Sequence, residues 1–233
     1  MELDLEKEEV NAAGTVSLTE PAPAGRRSET ELQVCRRLDW RVLLSEPELR
    51  RVAYVGPPRG MLVEALKRFS ESLTIFDSAA ESFTASQSKR AFDVVVLTKP
   101  SLRDLEMMRH VLKPGGSVYL ESHRPKQWLR GRVWSKAAQD APQPEEYMAM
   151  LQQLGFCEIE RHWHRPSFDG CLEIIPLDNR QALEHVFSRR RDGLRGRLKL
   201  TIGKYVMKTG WLSRFATCVS IVACKPSLAE TSA

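Results

Sequence analysis

The chain has 233 residues, a net charge of +5, and 42% apolar against 28% charged residues. That length suits one sizeable core with at most a small appendage, and the composition excludes a disordered polymer. No apolar run reaches the roughly 18–20 residues of a membrane-spanning helix. The N-terminal MELDLEKEEV lacks the basic-then-apolar pattern of a secretory signal, so a cytoplasmic location is expected.

The charge is unevenly spread. Glu2, Asp4, Glu6, Glu8 and Glu9 outweigh Lys7, whereas ten Lys and Arg from Arg180 to Arg214 face only Glu184 and Asp192. Such asymmetry bears on partners more than on fold. Residues 1–30, with AAGTV and EPAPAG, show no sustained periodicity and read as a flexible acidic tail. Residues 31–226 then form the domain and 227–233 a second tail. Leu32, Val34, Leu38, Trp40 and Leu43 mark a helix or lead-in segment that docks on it.

Arg51-Val52-Ala53-Tyr54-Val55 is a short apolar strand, broken by Gly56-Pro57-Pro58-Arg59-Gly60. Leu62, Leu66 and Phe69 follow at helical spacing. Residues 72–77 (SLTIFD) form a second strand ending in Asp77, and residues 92–97 (FDVVVL) a strand covered on both faces. Only 14 residues, 78–91, lie between them, and a crossover alone takes a dozen or more, so a third strand is expected to be missing. Residues 102–112 read as a helix stopped by a turn at Lys113-Pro114-Gly115-Gly116, and residues 117–121 (SVYLE) as the next strand. A helix over 144–154 ends at Gly155, and 156–164 and 217–224 look like strands. Residues 170–214 form an insert with two helical stretches. Strands alternating with helices point to an α/β fold built on a parallel sheet.

In this order the features resemble the class I S-adenosylmethionine-dependent methyltransferases. The resemblance rests on the strand, glycine turn and helix of residues 52–69, on Asp77, on FDVVVL, on LKPGG before SVYLE, and on the late strands after Gly155-Phe156 and at 219–223. It implies a Rossmann-like, mostly parallel sheet with helices on both faces, a closing antiparallel hairpin and a helical insert. It also implies S-adenosylmethionine as cofactor and a small molecule or biosynthetic intermediate as methyl acceptor. Gly56, Pro58 and Gly60 would border its amino-acid portion, Asp77 would take the ribose hydroxyls, and Thr98 and Lys99 would line the reaction site. The turn departs from the family pattern: Pro57 and Pro58 remove two amide donors, and Arg59 adds a cation. A methyltransferase-like domain acting as a non-catalytic binding scaffold is the alternative.

Methyl transfer needs an aligned nucleophile and an outlet for its proton. His123, just past SVYLE, is the candidate base, against a solvated loop histidine. His162 and His164 flank Trp163 and share a strand face, but a metal needs a third ligand, so surface or pocket-lining histidines are favoured and no metal is expected. Trp134, Trp163 and Phe168 read as core. Cys35, Cys157, Cys171, Cys218 and Cys224 form no CxxC pair, which argues against a zinc ribbon or redox dithiol; Cys157, Cys218 and Cys224 sit in apolar stretches as small hydrophobes. Neither a P-loop nor a serine-hydrolase elbow occurs. Arg189, Arg190, Arg191, Arg195 and Arg197 precede Lys199, Lys204 and Lys208 on an amphipathic helical pattern. It reads as a solvated cap, or as a contact for an anionic membrane surface or lipid phosphate. The lack of interleaved aromatics argues against nucleic acid.

Overall fold

The structure, a computed structural model, describes residues 24–76, 91–123, 142–188 and 216–227. In chain order they form α1 (Ala24–Arg36), a 3-10 helix (Asp39–Leu43), β1 (Arg51–Val55), α2 (Met61–Phe69), β2 (Ser72–Phe76), β3 (Phe92–Thr98), α3 (Leu102–Val111) and β4 (Leu112–His123). Then come α4 (Pro144–Gln153), β5 (Cys157–Arg165), β6 (Glu173–Pro176), α5 (Arg180–Ser188) and β7 (Cys218–Cys224). Seven strands make one sheet in the order β2-β1-β3-β4-β7-β5-β6. The first four run parallel; β7 is antiparallel to β4, and β5 and β6 extend that antiparallel part.

Alternation along the strands divides the core between two faces. Ala53, Val55, Val95, Leu97, Val118, Leu120 and Ile221 meet Leu105 and Met108 of α3 and Tyr147 and Leu151 of α4. On the other face, Val52, Tyr54, Val94, Val96 and Tyr119 pack on Leu62 and Leu66 of α2 and on Leu38 and Trp40. The Trp40 indole stacks on the Tyr119 ring at 3.8 Å, which fastens the lead-in segment to the middle of the sheet. Helix starts are encoded locally. Ser101 and Asp104 form a reciprocal capping box on α3, and Pro144 stands at the first position of α4, where its missing N–H costs nothing.

Three expectations change. Helix α1 begins at Ala24, inside the stretch read as a tail. Arg26, Arg27, Glu29, Glu31, Leu32, Gln33 and Arg36 favour helix once the proline-rich stretch has ended. Lys113-Pro114-Gly115-Gly116 is not a simple turn but an irregular start to β4. Phe92 pairs with Leu112, yet Val94 already pairs with Ser117, so the extra residues bow out of the ladder. Asp93 holds that bow through Lys113, and Lys225 closes it: its N–H donates to Gly116 O at 2.9 Å and its ammonium to Arg109 O and Leu112 O. The presumed helical insert opens with strand β6, whose Glu173–Pro176 run is too short to show a period. Helix α2 buries Leu62, Val63, Ala65 and Leu66 and ends at Phe69, whose ring lies near the guanidiniums of Arg41 and Arg68. Residues 78–90, which bear on the missing third strand, and the second helical stretch of the insert lie outside the described residues. So does Trp134. No helix among the described residues is long and apolar enough to cross a membrane.

Trp40→Ala is expected to cost roughly 3–5 kcal/mol, the usual range for emptying a buried tryptophan site. A urea titration measures it; an unchanged midpoint would show that the lead-in segment is not docked.

Candidate functional site

The register sets which residues meet at the carboxyl ends of the parallel strands, where open α/β sheets bind ligands. Val55 pairs with Phe76 and Leu97, and Thr98 pairs with Glu121, two residues before His123. Gly56, Thr98, Lys99 and His123 therefore share one edge, as their sequence positions implied. Asp77, next after Phe76, lies outside the described residues, as do the Arg189, Arg190, Arg191, Arg195 and Arg197 of the basic segment.

The turn after β1 has an unexpected filling. A side chain at Gly56 would lie 2.8 Å from the Tyr54 hydroxyl and 3.1 Å from Thr98, so the room that this glycine creates is taken by the chain's own phenol. Burial raises the Tyr54 pKa, with Thr98 acting against it, so the phenol stays protonated. Pro57, Pro58, Arg59 and Gly60 are exposed, and neither Pro58 nor Arg59 fills the hollow. At Gly60, the N-cap of α2, a Cβ would meet nothing within 4 Å, and no side chain caps that helix. Its first-turn amides thus have no side-chain cap among the described residues, an arrangement that attracts anions. Thr98 adds a buried Oγ1 beside the Tyr54 hydroxyl. Lys99, exposed at the strand end, has φ +52, a left-handed conformation uncommon for a residue other than glycine. Its N–H donates to Glu121 O at 3.0 Å, tying β3 to β4.

Beside this edge lies a buried ion pair that sequence reading missed. Arg37, just past α1, meets both carboxylate oxygens of Glu121 at 2.7 Å, and the two side chains are 4% and 1% exposed. Its Nε donates to Asp169 at 2.8 Å, and its guanidinium lies over the Phe168 ring at 5.5 Å. Burial works to lower the Arg37 pKa, but Glu121 outweighs it and holds the charge. The Tyr119 hydroxyl donates to Glu121 at 3.0 Å, and burial pushes its pKa well up. The available signal was a single acid in the apolar run SVYLES, which demands a partner from elsewhere in the chain.

His123 is exposed at the end of β4 and leans edge-on against Phe168 at 4.8 Å. Burial of part of the ring lowers its pKa; Glu121 opposes this, while Lys99 and Arg37 add to it. It is therefore neutral at pH 7, as a proton acceptor must be. His162 and His164 are not surface or pocket-lining groups. Both are buried; Phe168 and Cys171, from the loop before β6, lie against His164. His164 pairs with Ser220 Oγ at 2.8 Å and lies 3.5 Å from Cys171 Sγ. Burial pushes the Cys171 thiol up and His164 down to about 3, so the two remain neutral packing partners. Among the described residues, no cluster of His, Cys, Asp or Glu could hold a metal ion.

The parallel half with its antiparallel closure is the layout that the resemblance implied. The fold is Rossmann-like. No family model and no curated protein matches the chain. Among solved structures it is similar to a SAM-dependent methyltransferase of Archaeoglobus fulgidus, at 16% identity over 84% of this chain and 94% of that one, with a TM-score of 0.49. A SAM-dependent methyltransferase of Thermotoga maritima matches at 12% identity over 86% and 95%, with a TM-score of 0.46. The phosphoethanolamine N-methyltransferase 2 of Haemonchus contortus, in complex with S-adenosyl-L-methionine, matches at 17% identity over 77% of this chain but 49% of that one, with a TM-score of 0.39.

Arg37→Met is expected to destabilise the protein by roughly 3–5 kcal/mol, because Glu121 is left charged and enclosed. Adding Glu121→Met should recover part of that loss; strictly additive losses in the double-mutant cycle would show that the pair does not interact. Acid sensitivity follows from His164. Between pH 6.5 and about 3 the unfolded imidazole binds a proton that the folded one refuses, so stability falls as pH falls through that window. From pH 6.5 to 4 the wild type should lose up to about 3 kcal/mol more than His164→Gln. Denaturant titrations at both pH values measure the difference, and parallel losses would refute it.

Proposed function

We propose that the chain is an S-adenosylmethionine-dependent methyltransferase acting on a small molecule or biosynthetic intermediate. The observation that carries this reading is the N-terminus of α2, which no side chain among the described residues caps, at the carboxyl edge of the parallel strands beside Thr98 and Lys99. Backbone donors without a side-chain cap at the ligand-binding edge are what a bound polar molecule would complete.

Gly60 and the first-turn amides of α2 would hold the carboxylate of the amino-acid portion, with Pro58 on the rim. Gly56 serves the bend itself, since Tyr54 takes its free space. Asp77 would accept the ribose hydroxyls. Thr98 and Lys99 would line the reacting end, and Lys99 would orient an acceptor that carries negative charge. His123, neutral and exposed, would take the acceptor's proton at its free ring nitrogen while Phe168 steadies the ring. When bound, the cofactor supplies a methyl group activated by its sulfonium.

Calorimetric titration with S-adenosylmethionine is the test, with one-to-one micromolar binding expected. Asp77→Ala should weaken it by about 1–3 kcal/mol and Thr98→Val by about 1 kcal/mol, each through loss of a hydrogen bond to the ligand. Silence at millimolar ligand in the folded wild type would overturn the proposal and leave the sheet as a binding scaffold.

A further inference from the structure

The opposite end of the sheet carries a pair of thiols that linear spacing conceals. Cys157 opens β5 and Cys224 closes β7, and the register sets them directly across from one another on neighbouring antiparallel strands. Directly opposed residues have Cα atoms about 4.5–5.5 Å apart and side chains on one face, inside the roughly 4.4–6.8 Å that a disulfide spans. The Cys157 thiol already lies over its partner, donating to Cys224 O at 3.3 Å. Both residues are half-buried reduced thiols. The ladder shifts register between Cys157 and Glu160, and Glu158 has φ +49, so a bulge beside the pair gives the backbone local slack.

Access is the second observation. Cys224 lines a surface cavity of about 250 Å³, together with Ser45, Ser117, Glu158 and Glu160. Cys171 and Cys218 are buried, and Cys35 is exposed on α1, away from this register pair. The two glutamates select the reagent: a small neutral oxidant enters freely, whereas an anionic one such as oxidised glutathione is repelled.

We propose that Cys157 and Cys224 form a reversible dithiol–disulfide site that takes hydrogen peroxide as its oxidant. The Cys224 sulfur attacks one peroxide oxygen; an S–O bond forms, the O–O bond breaks, and water leaves with the thiol proton. The Cys157 sulfur then displaces the hydroxyl from the Cys224 sulfenic acid; the S–S bond forms, the S–O bond breaks, and the second thiol proton leaves in a second water. Two thiols and one peroxide give one disulfide and two waters, the sulfurs losing two electrons and the peroxide gaining them.

The test uses the full, reduced chain treated with hydrogen peroxide, quenched with catalase, alkylated and digested without reduction. Mass spectrometry should find the peptides carrying Cys157 and Cys224 joined, two hydrogens lighter than their sum, as the dominant linked species. Dithiothreitol should abolish the link. Cys157→Ser should abolish it too and leave Cys224 open to capture by dimedone as sulfenic acid. Separate adducts on Cys157 and Cys224 without a link in the wild type, or oxidation confined to Cys35, would overturn the proposal. The same wild-type digest suffices if the variant does not fold. Because the pair lies at the far edge from Gly60 and Thr98, S-adenosylmethionine titration of the oxidised chain separates its outcome from that of the methyltransferase reading.

Discussion

The Arg37–Glu121 ion pair is the constraint around which the rest is arranged. A carboxylate in the middle strand of an apolar sheet is prohibitively costly unless a full-strength partner reaches it. Arg37 supplies that partner from outside the sheet, and both guanidinium ends are committed to it. The lead-in segment must therefore dock for the domain to close. Trp40 on Tyr119 gives the docking its apolar area, while Asp169 and Phe168 engage the same guanidinium from the loop between β5 and β6. Three segments distant in sequence are thus fixed relative to the end of β4, where His123 sits.

Much of the fold was legible because its signals are local. Near-continuous apolar runs marked β1 and β3, and glycine or proline bounded the helices; these properties act within a few residues. What escaped depends on pairing. The irregular start of β4 exists because Asp93 and Lys225 hold LKPGG in place, and neither lies within the motif. Strand β6 is four residues long and owes its extension to β5. His162 and His164 looked accessible because alternation tells which residues share a face but not what covers it.

The candidate site was legible in outline and not in its filling. Position after a strand placed Gly56, Thr98, Lys99 and His123 on one edge, since parallel strands align their ends. That Tyr54 would turn its phenol into the space at Gly56 could not be read, because a tyrosine in an apolar strand gives no sign of where its hydroxyl settles. The result shifts weight from the first glycine to the second. Gly60 and the helix it opens offer the free amides, and two prolines before it stiffen the approach without entering the hollow.

Strand β6 also decides how the sheet ends. An outermost strand normally offers its unused N–H and C=O groups to any extended chain that comes near. Here that strand is short, begins with the charge of Glu173 and finishes at Pro176, which has no N–H to give. Among the described residues, the border next to β5 is therefore short, charged at one end and without an N–H at the other, features that disfavour recruitment of a further strand along it.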